Sequence, residues 1–229
     1  VIYAPKSDIS EEEKKILADY AAEGGKLFVV AGPVQDGMLK NLYDLLADYG
    51  VEANEGIVVE GDRDHYNGFL RQGPMALLPD MNSNTITDSL IEENYYPMMP
   101  ISLGLTVTED FGSGTVTELL TTSNAAYSKR AGYGMTDYKK EADDIDGPFT
   151  LAVSIETIGE GQIVWFTSSY FLENAYNAAS SGANSNLGMN ALSSLIGETE
   201  AMAIRSKSLN YNYLTINSST ASLLKVMMI

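Results

Sequence analysis

The chain has 229 residues, of which 45 % are hydrophobic and 20 % charged, enough apolar content for a packed core and too much for a disordered chain. Lys and Arg number 14 against 31 Asp and Glu, and the resulting net charge of −17 repels phosphate backbones, which sets nucleic-acid binding aside. The absence of cysteine excludes disulfides, thiolate metal sites, iron–sulfur clusters and cysteine nucleophiles, and the one histidine, His65, excludes any site that needs two.

Val1-Ile2-Tyr3-Ala4 reads as an apolar opening strand without the basic-then-apolar pattern of a secretory leader, and we expect it to continue from something longer. Ser10 and Glu13 have the spacing of a capping box, and Ile16, Leu17, Tyr20 and Ala21 follow at helical intervals up to Gly24-Gly25. Residues 26–31 form an almost unbroken apolar run, the pattern of a strand covered on both faces. Leu39, Leu42, Leu46 and Tyr49 line a second helix stopped by Gly50, and Gly56-Ile57-Val58-Val59 reads as the next strand. Strand, helix, strand, helix, strand predicts an α/β fold with a mainly parallel sheet and flanking helices.

The middle is less regular. Residues 60–73 read as a polar loop, 75–79 as a strand, 85–93 as a short helix, and 115–122 as a strand. Residues 127–146, polar and rich in Lys and Asp, read as one long exposed loop. Period-two alternation from Phe149 to Glu156, a turn at Gly159-Glu160-Gly161 and the apolar run Ile163-Val164-Trp165-Phe166 predict an antiparallel hairpin near the C-terminal end. Leu187, Ala191, Leu192 and Leu195 mark a helix closed by Gly197. Residues 1–200 are therefore taken as the α/β domain. Residues 201–229 contain no acid and carry Arg205, Lys207 and Lys225, which suits either a juxtamembrane segment near anionic headgroups or a basic surface strand and tail. Their last nine residues are too few to span a bilayer, which takes about 20, but match the first turns of a helix that does.

Candidate chemistry is sparse. His65 has neighbouring aspartates in sequence but no Gly-x-Ser-x-Gly elbow exists to give it a serine partner, so it reads as an exposed loop histidine. Glu141, Asp143, Asp144 and Asp146 before Gly147 approach part of a calcium loop, yet Ala142 occupies its first ligand position, and a solvated acidic loop fits better. Neither Gly112-Ser113-Gly114 nor Gly32-Pro33 matches a phosphate-cradling loop. Leu119-Leu120-Thr121-Thr122-Ser123 and Phe166-Thr167-Ser168-Ser169 put hydroxyls at the ends of apolar strands, where open α/β sheets bind ligands and where hydroxyls also cap turns. Thr121, Ser123 and Ser168, with the nearby Tyr127, are the candidate ligand-binding residues; no catalytic, metal or cofactor residue is assigned.

Seven stretches, in order, carry a family resemblance. They are residues 8–13 with Gly24-Gly25-Lys26-Leu27; Leu42, Leu45 and Tyr49-Gly50-Val51; Leu119 to Ser123 with Tyr127; Gly147-Pro148-Phe149; residues 161–172; Asn190-Ala191-Leu192 with Gly197; and Ile204-Arg205-Ser206-Lys207. Together the chain resembles the extracytoplasmic domain of the GldG-like family, auxiliary subunits of uncharacterised and gliding-motility-associated bacterial ABC-type transport systems. Thr167-Ser168-Ser169 departs from the acidic run usual there. The resemblance implies a flavodoxin-like or class I glutamine amidotransferase-like sheet, without amidotransferase chemistry because that needs a cysteine. It also implies a membrane helix after the chain's end, a place at the cell membrane on the extracytoplasmic side, and a permease and ATPase as partners.

The leading expectation is a non-enzymatic interaction or substrate-recruiting domain. A small-ligand module, for instance for carbohydrate, and a hydrolase built on paired carboxylates are the alternatives. Tyr66, Tyr95, Tyr96, Tyr127, Tyr133 and Tyr138 in the edge loops suit an interface and equally suit loop packing.

Overall fold

The computed structural model describes residues 1–35, 37–108 and 113–198. Its centre is a mixed sheet. β1 (Ile2–Tyr3), β2 (Lys26–Val30) and β13 (Gln162–Phe166) lie side by side and parallel, and β12 (Thr150–Thr157) pairs antiparallel with β13. Beyond β12 run β9 (Gly114–Thr121) and then β6 (Asp80–Met81); β8 (Gly104–Val107) and its partner β3 (Val51–Asn54) join through Thr150. The α/β class holds, but the sheet is mixed instead of mainly parallel. Among the described residues only the pairings of β2 with β1 and with β13 are parallel, and the strand that follows the second helix is β3, which joins the opposite side of the sheet.

Alternation along the central strands explains the layering. Leu27, Val29, Ala31, Ile163 and Trp165 face α1 (Glu11–Ala22) and α2 (Lys40–Ala47). Phe28, Val30, Val164 and Phe166 face α5 (Ala183–Ile196) through Leu187, Ala191 and Leu195. Both sets are almost wholly buried, as the unbroken apolar runs require. Ser10 and Glu13 close the expected capping box on α1 through 3.2 Å and 2.8 Å hydrogen bonds. On that helix Ile16 and Tyr20 nevertheless face solvent, and only Ala21 is fully buried. The hairpin of β12 and β13 and the Gly197 cap of α5 are as expected.

A cap sits on the sheet end where β2, β9 and β13 finish. It includes β4 (Ile57–Val59), β10 (Tyr127–Lys129) and β11 (Ile145–Asp146) in one small sheet, and β5 (Ala76–Leu77) with β7 (Met99–Pro100) in another. The strand expected at 56–59 thus belongs to the cap and not to the main sheet. The stretch 127–146 is not one exposed loop either: Tyr127, Ser128 and Lys129 are buried, because β10 is the middle strand of its sheet. Short helices α3 (Asp88–Glu93) and α4 (Asn174–Ala179) complete the described residues. No helix among them is long and apolar enough to cross a membrane, and residues 201–229, expected to be the juxtamembrane segment, lie outside them.

Candidate functional site

An open cleft of about 810 Å³ lies where β8 and β9 part from Thr150 at the start of β12. Its sheet wall carries Asp80, Glu118, Thr121 and Thr150, and its other wall carries Asp62 and His65. Strand geometry places them. Asp80 pairs with Thr121, which in turn pairs with Thr150, so all three stand in one row across the sheet. Glu118 accepts the Thr150 hydroxyl, and its backbone carbonyl accepts Asn82 Nδ2 at 3.1 Å.

Ser123 is held from beneath by Glu60, a carboxylate only 3 % exposed at the end of β4. The Ser123 hydroxyl donates to Glu60 Oε1 at 2.6 Å, its N–H donates to Oε2 at 3.2 Å, and Asp62 N–H donates to Oε1 at 3.0 Å. A buried acid with three donors is satisfied, so Glu60 ties the cap loop to the end of β9. Sequence reasoning passed over Glu60. The signal was an acid placed directly after the apolar run Ile57-Val58-Val59.

His65 stands at the end of a 3-10 turn, Arg63–His65, and is partly buried instead of solvent-exposed. Its Nδ1 lies 3.2 Å from Asp62 and its Nε2 lies 3.3 Å from Asp80. The Nδ1 atom is buried and makes no hydrogen bond in spite of that proximity. A second hollow continues past His65 and Asp80 to Ile91 and the exposed Tyr96, making one groove across the β6 edge.

Of the four residues singled out as ligand-binding, Thr121 and Ser123 line this cleft. Tyr127 and Ser168 do not. The Tyr127 hydroxyl donates to the Tyr138 carbonyl, and burial raises its pKa with the carboxylates of Asp144 and Asp137 adding to that effect against Lys129. Ser168 is fully buried, donates to the Pro100 carbonyl and accepts Tyr170 N–H at 3.3 Å. Both therefore act on backbone groups of the cap. The acidic run 141–147 is likewise occupied from within. Glu141, Asp143 and Asp144 are close enough to share a cation, but the Lys129 ammonium stands 3.1 Å from Glu141 and 3.5 Å from Asp144.

No family model matches the chain, and no curated protein does. Among solved structures it is similar to one described as the mmIFT52 N-terminal domain, with a TM-score of 0.57 and 15 % identity, over 84 % of this chain and 74 % of that one. At that identity the likeness is one of fold.

Proposed function

We propose that this domain works by binding, without bond-making chemistry, as the extracytoplasmic auxiliary part of a GldG-like ABC-type transport system. The observation that carries the binding reading is the open cleft at the end of β9, walled by hydroxyls and carboxylates, among them Ser123 held by Glu60 and Thr150 bonded to Glu118. Ordered polar groups around a concave surface are what capture of a hydroxyl-bearing ligand needs. The flavodoxin-like or amidotransferase-like part of this reading draws its support from the parallel set β1, β2 and β13, which has helices on both faces. In this reading residues 201–229 lead to the membrane helix, and the permease and its ATPase are the partners.

Two measurements test it. The full-length protein, tagged and solubilised from its own membrane, is expected to bring down a multispan permease and an ATPase; recovery without either sinks the transport assignment. A thermal-shift screen against neutral oligosaccharides is expected to yield a ligand that raises the melting temperature of the wild type but not of Thr121→Val. Turnover of a glycoside panel that depends on Asp80 or Glu118 would replace binding with catalysis.

A further inference from the structure

The cleft beside β9 does not end at His65. Past the contact of His65 with Asp80 it opens into the hollow of about 680 Å³ that runs to Tyr96, so the two form one groove. An irregularity in β9 shapes its sheet wall. Thr150 meets Thr121, Ala152 meets Leu120 and Val153 meets Glu118, so Leu119 is skipped. Leu119 and Leu120 are adjacent yet both wholly buried, and Glu118 and Thr121 on either side of them both line the cleft. In a regular strand such a pair would face opposite ways. Breaks in register of this kind re-aim side chains and gather beside functional sites.

The charges along the groove have one sign. Asp62, Asp80 and Glu118 line the cleft, and Asp64 and Asp80 line the hollow, whereas no Lys or Arg among the described residues lines either. Among the described residues their ionic partner is His65, 3.2 Å from Asp62 and 3.3 Å from Asp80, which sets at most one positive charge against these carboxylates. Arg63, in the same turn, lies over the Tyr66 ring, 5.9 Å from its centroid, and stays out of the groove. A concave surface lined by one sign of charge concentrates ions of the other sign.

The carboxylates are spread along the walls. No three of the groove's acids and its histidine bring ligand atoms within 4.8 Å of one another, a convergence found among the described residues only at Glu141, Asp143 and Asp144. That spread suits a larger organic cation with several contact points and not a single metal ion. Hydroxyls alternate with the acids: Thr121 stands between Asp80 and Thr150 in the row across the sheet, and Glu118 accepts the Thr150 hydroxyl. Threonine hydroxyls can donate to and accept from ligand hydroxyls, and carboxylates accept most strongly from a charged donor such as an ammonium group. We propose that the groove takes a polyhydroxylated organic cation, the chemistry of an amino sugar whose amines are free. The proposal rests on the reading of the cleft as a binding site and names what that site selects.

Calorimetric titration of the chain tests it with kanamycin as the polyhydroxylated cation. Kanamycin acetylated on every amine keeps the skeleton without the charge, maltotriose is a neutral sugar, and spermine is a cation without hydroxyls. Kanamycin is expected to bind saturably and at least about tenfold more tightly than each of the other three. Asp80→Asn and Glu118→Gln keep the side-chain shape and are each expected to weaken kanamycin about threefold to tenfold, and the double variant more. Glu12→Gln takes a charge from the exposed first turn of α1 and is expected to change binding less than about twofold, since salt screens distant surface charges. Maltotriose or the acetylated compound binding as tightly as kanamycin overturns the proposal and leaves the binding reading standing. Spermine binding as tightly as kanamycin overturns it too, as does Glu12→Gln weakening kanamycin as much as Asp80→Asn, because bulk charge is then all that is read. Silence from kanamycin while a neutral oligosaccharide binds removes the proposal alone; silence from all of them removes it together with the binding reading.

Discussion

At the scale of single residues, Lys129 is the most informative. Its side chain is 2 % exposed, yet it carries a charge, and it is matched by Glu141, by Asp144 and by the Lys139 carbonyl. Burial pulls its pKa down, but the hydrogen bond to Glu141 and the Asp144 charge outweigh burial and leave it raised. Burial pushes Asp144 up, and the N–H groups of Glu141 and Arg130 together with Lys129 outweigh that and leave it lowered. The signs then follow from linkage. Asp144 contributes stability that is present above its unfolded value of about 3.9 and is lost as pH falls below it; Lys129 contributes stability present below about 10.4 and lost as pH rises above it. Replacing Lys129 by Met removes one partner and leaves Asp144 buried with its backbone donors alone. We expect Lys129→Met to lower the melting temperature at neutral pH, and to shrink the stability lost between about pH 6 and about pH 3 relative to wild type. Urea midpoints at the two pH values read this directly, and an unchanged difference would separate Lys129 from Asp144. The sequence placed this lysine in a polar stretch, and polarity alone does not reveal that β10 lies between two other strands.

At the scale of elements, the turn between β12 and β13 docks on the end of α1, and glycine makes that possible. The last carbonyls of a helix lack partners within it. Here the Ala21 carbonyl accepts Thr157 Oγ1 at 3.1 Å, and that hydroxyl accepts Gly161 N–H at 2.9 Å. A Cβ at Gly159 would lie 1.8 Å from the Ala22 carbonyl oxygen, so any side chain there pushes hairpin and helix apart. Gly159→Ala is expected to cost about 1–3 kcal/mol, read as a lower urea midpoint at constant slope. Ile158→Ala is the control: that side chain is 80 % exposed, and its removal should stay within about 0.5 kcal/mol. The hairpin and its glycines were legible in the sequence as a turn. The close approach of α1, more than a hundred residues earlier, was not, since local pattern holds no information on which distant carbonyl a turn meets.

At the scale of the molecule, the sheet has a core on each face, and Trp165 is wholly buried between β13 and α2. Its ring centroid lies 5.1 Å from that of Tyr43 on α2. It is the chain's one tryptophan, so its emission reports the packing of that layer alone, whereas far-UV dichroism reports all elements. If the layers unfold together, the two probes give one transition and one midpoint. Separate midpoints would mean that the α1–α2 layer and the α5 layer come apart independently.

Patterns of period two and 3.6, and the glycines and caps that end them, settled the class of the protein. They gave the capping box of α1, the doubly covered strands β2 and β13, the hairpin, and α5 with its Gly197 cap, because each depends on neighbours within a few residues. The hydroxyls Thr121 and Ser123 were legible at a cleft for the same reason, since they directly follow an apolar strand. Tertiary structure decided the rest. It sent β3 to the far side of the sheet, raised β4 and β10 into a cap, turned Ser168 inward to Pro100, and brought Asp62 and Asp80 to either side of His65. Strand pairing is a choice among partners far apart in the chain, made by whichever pairing buries the most apolar surface with every backbone group satisfied, and no local window of residues contains that comparison.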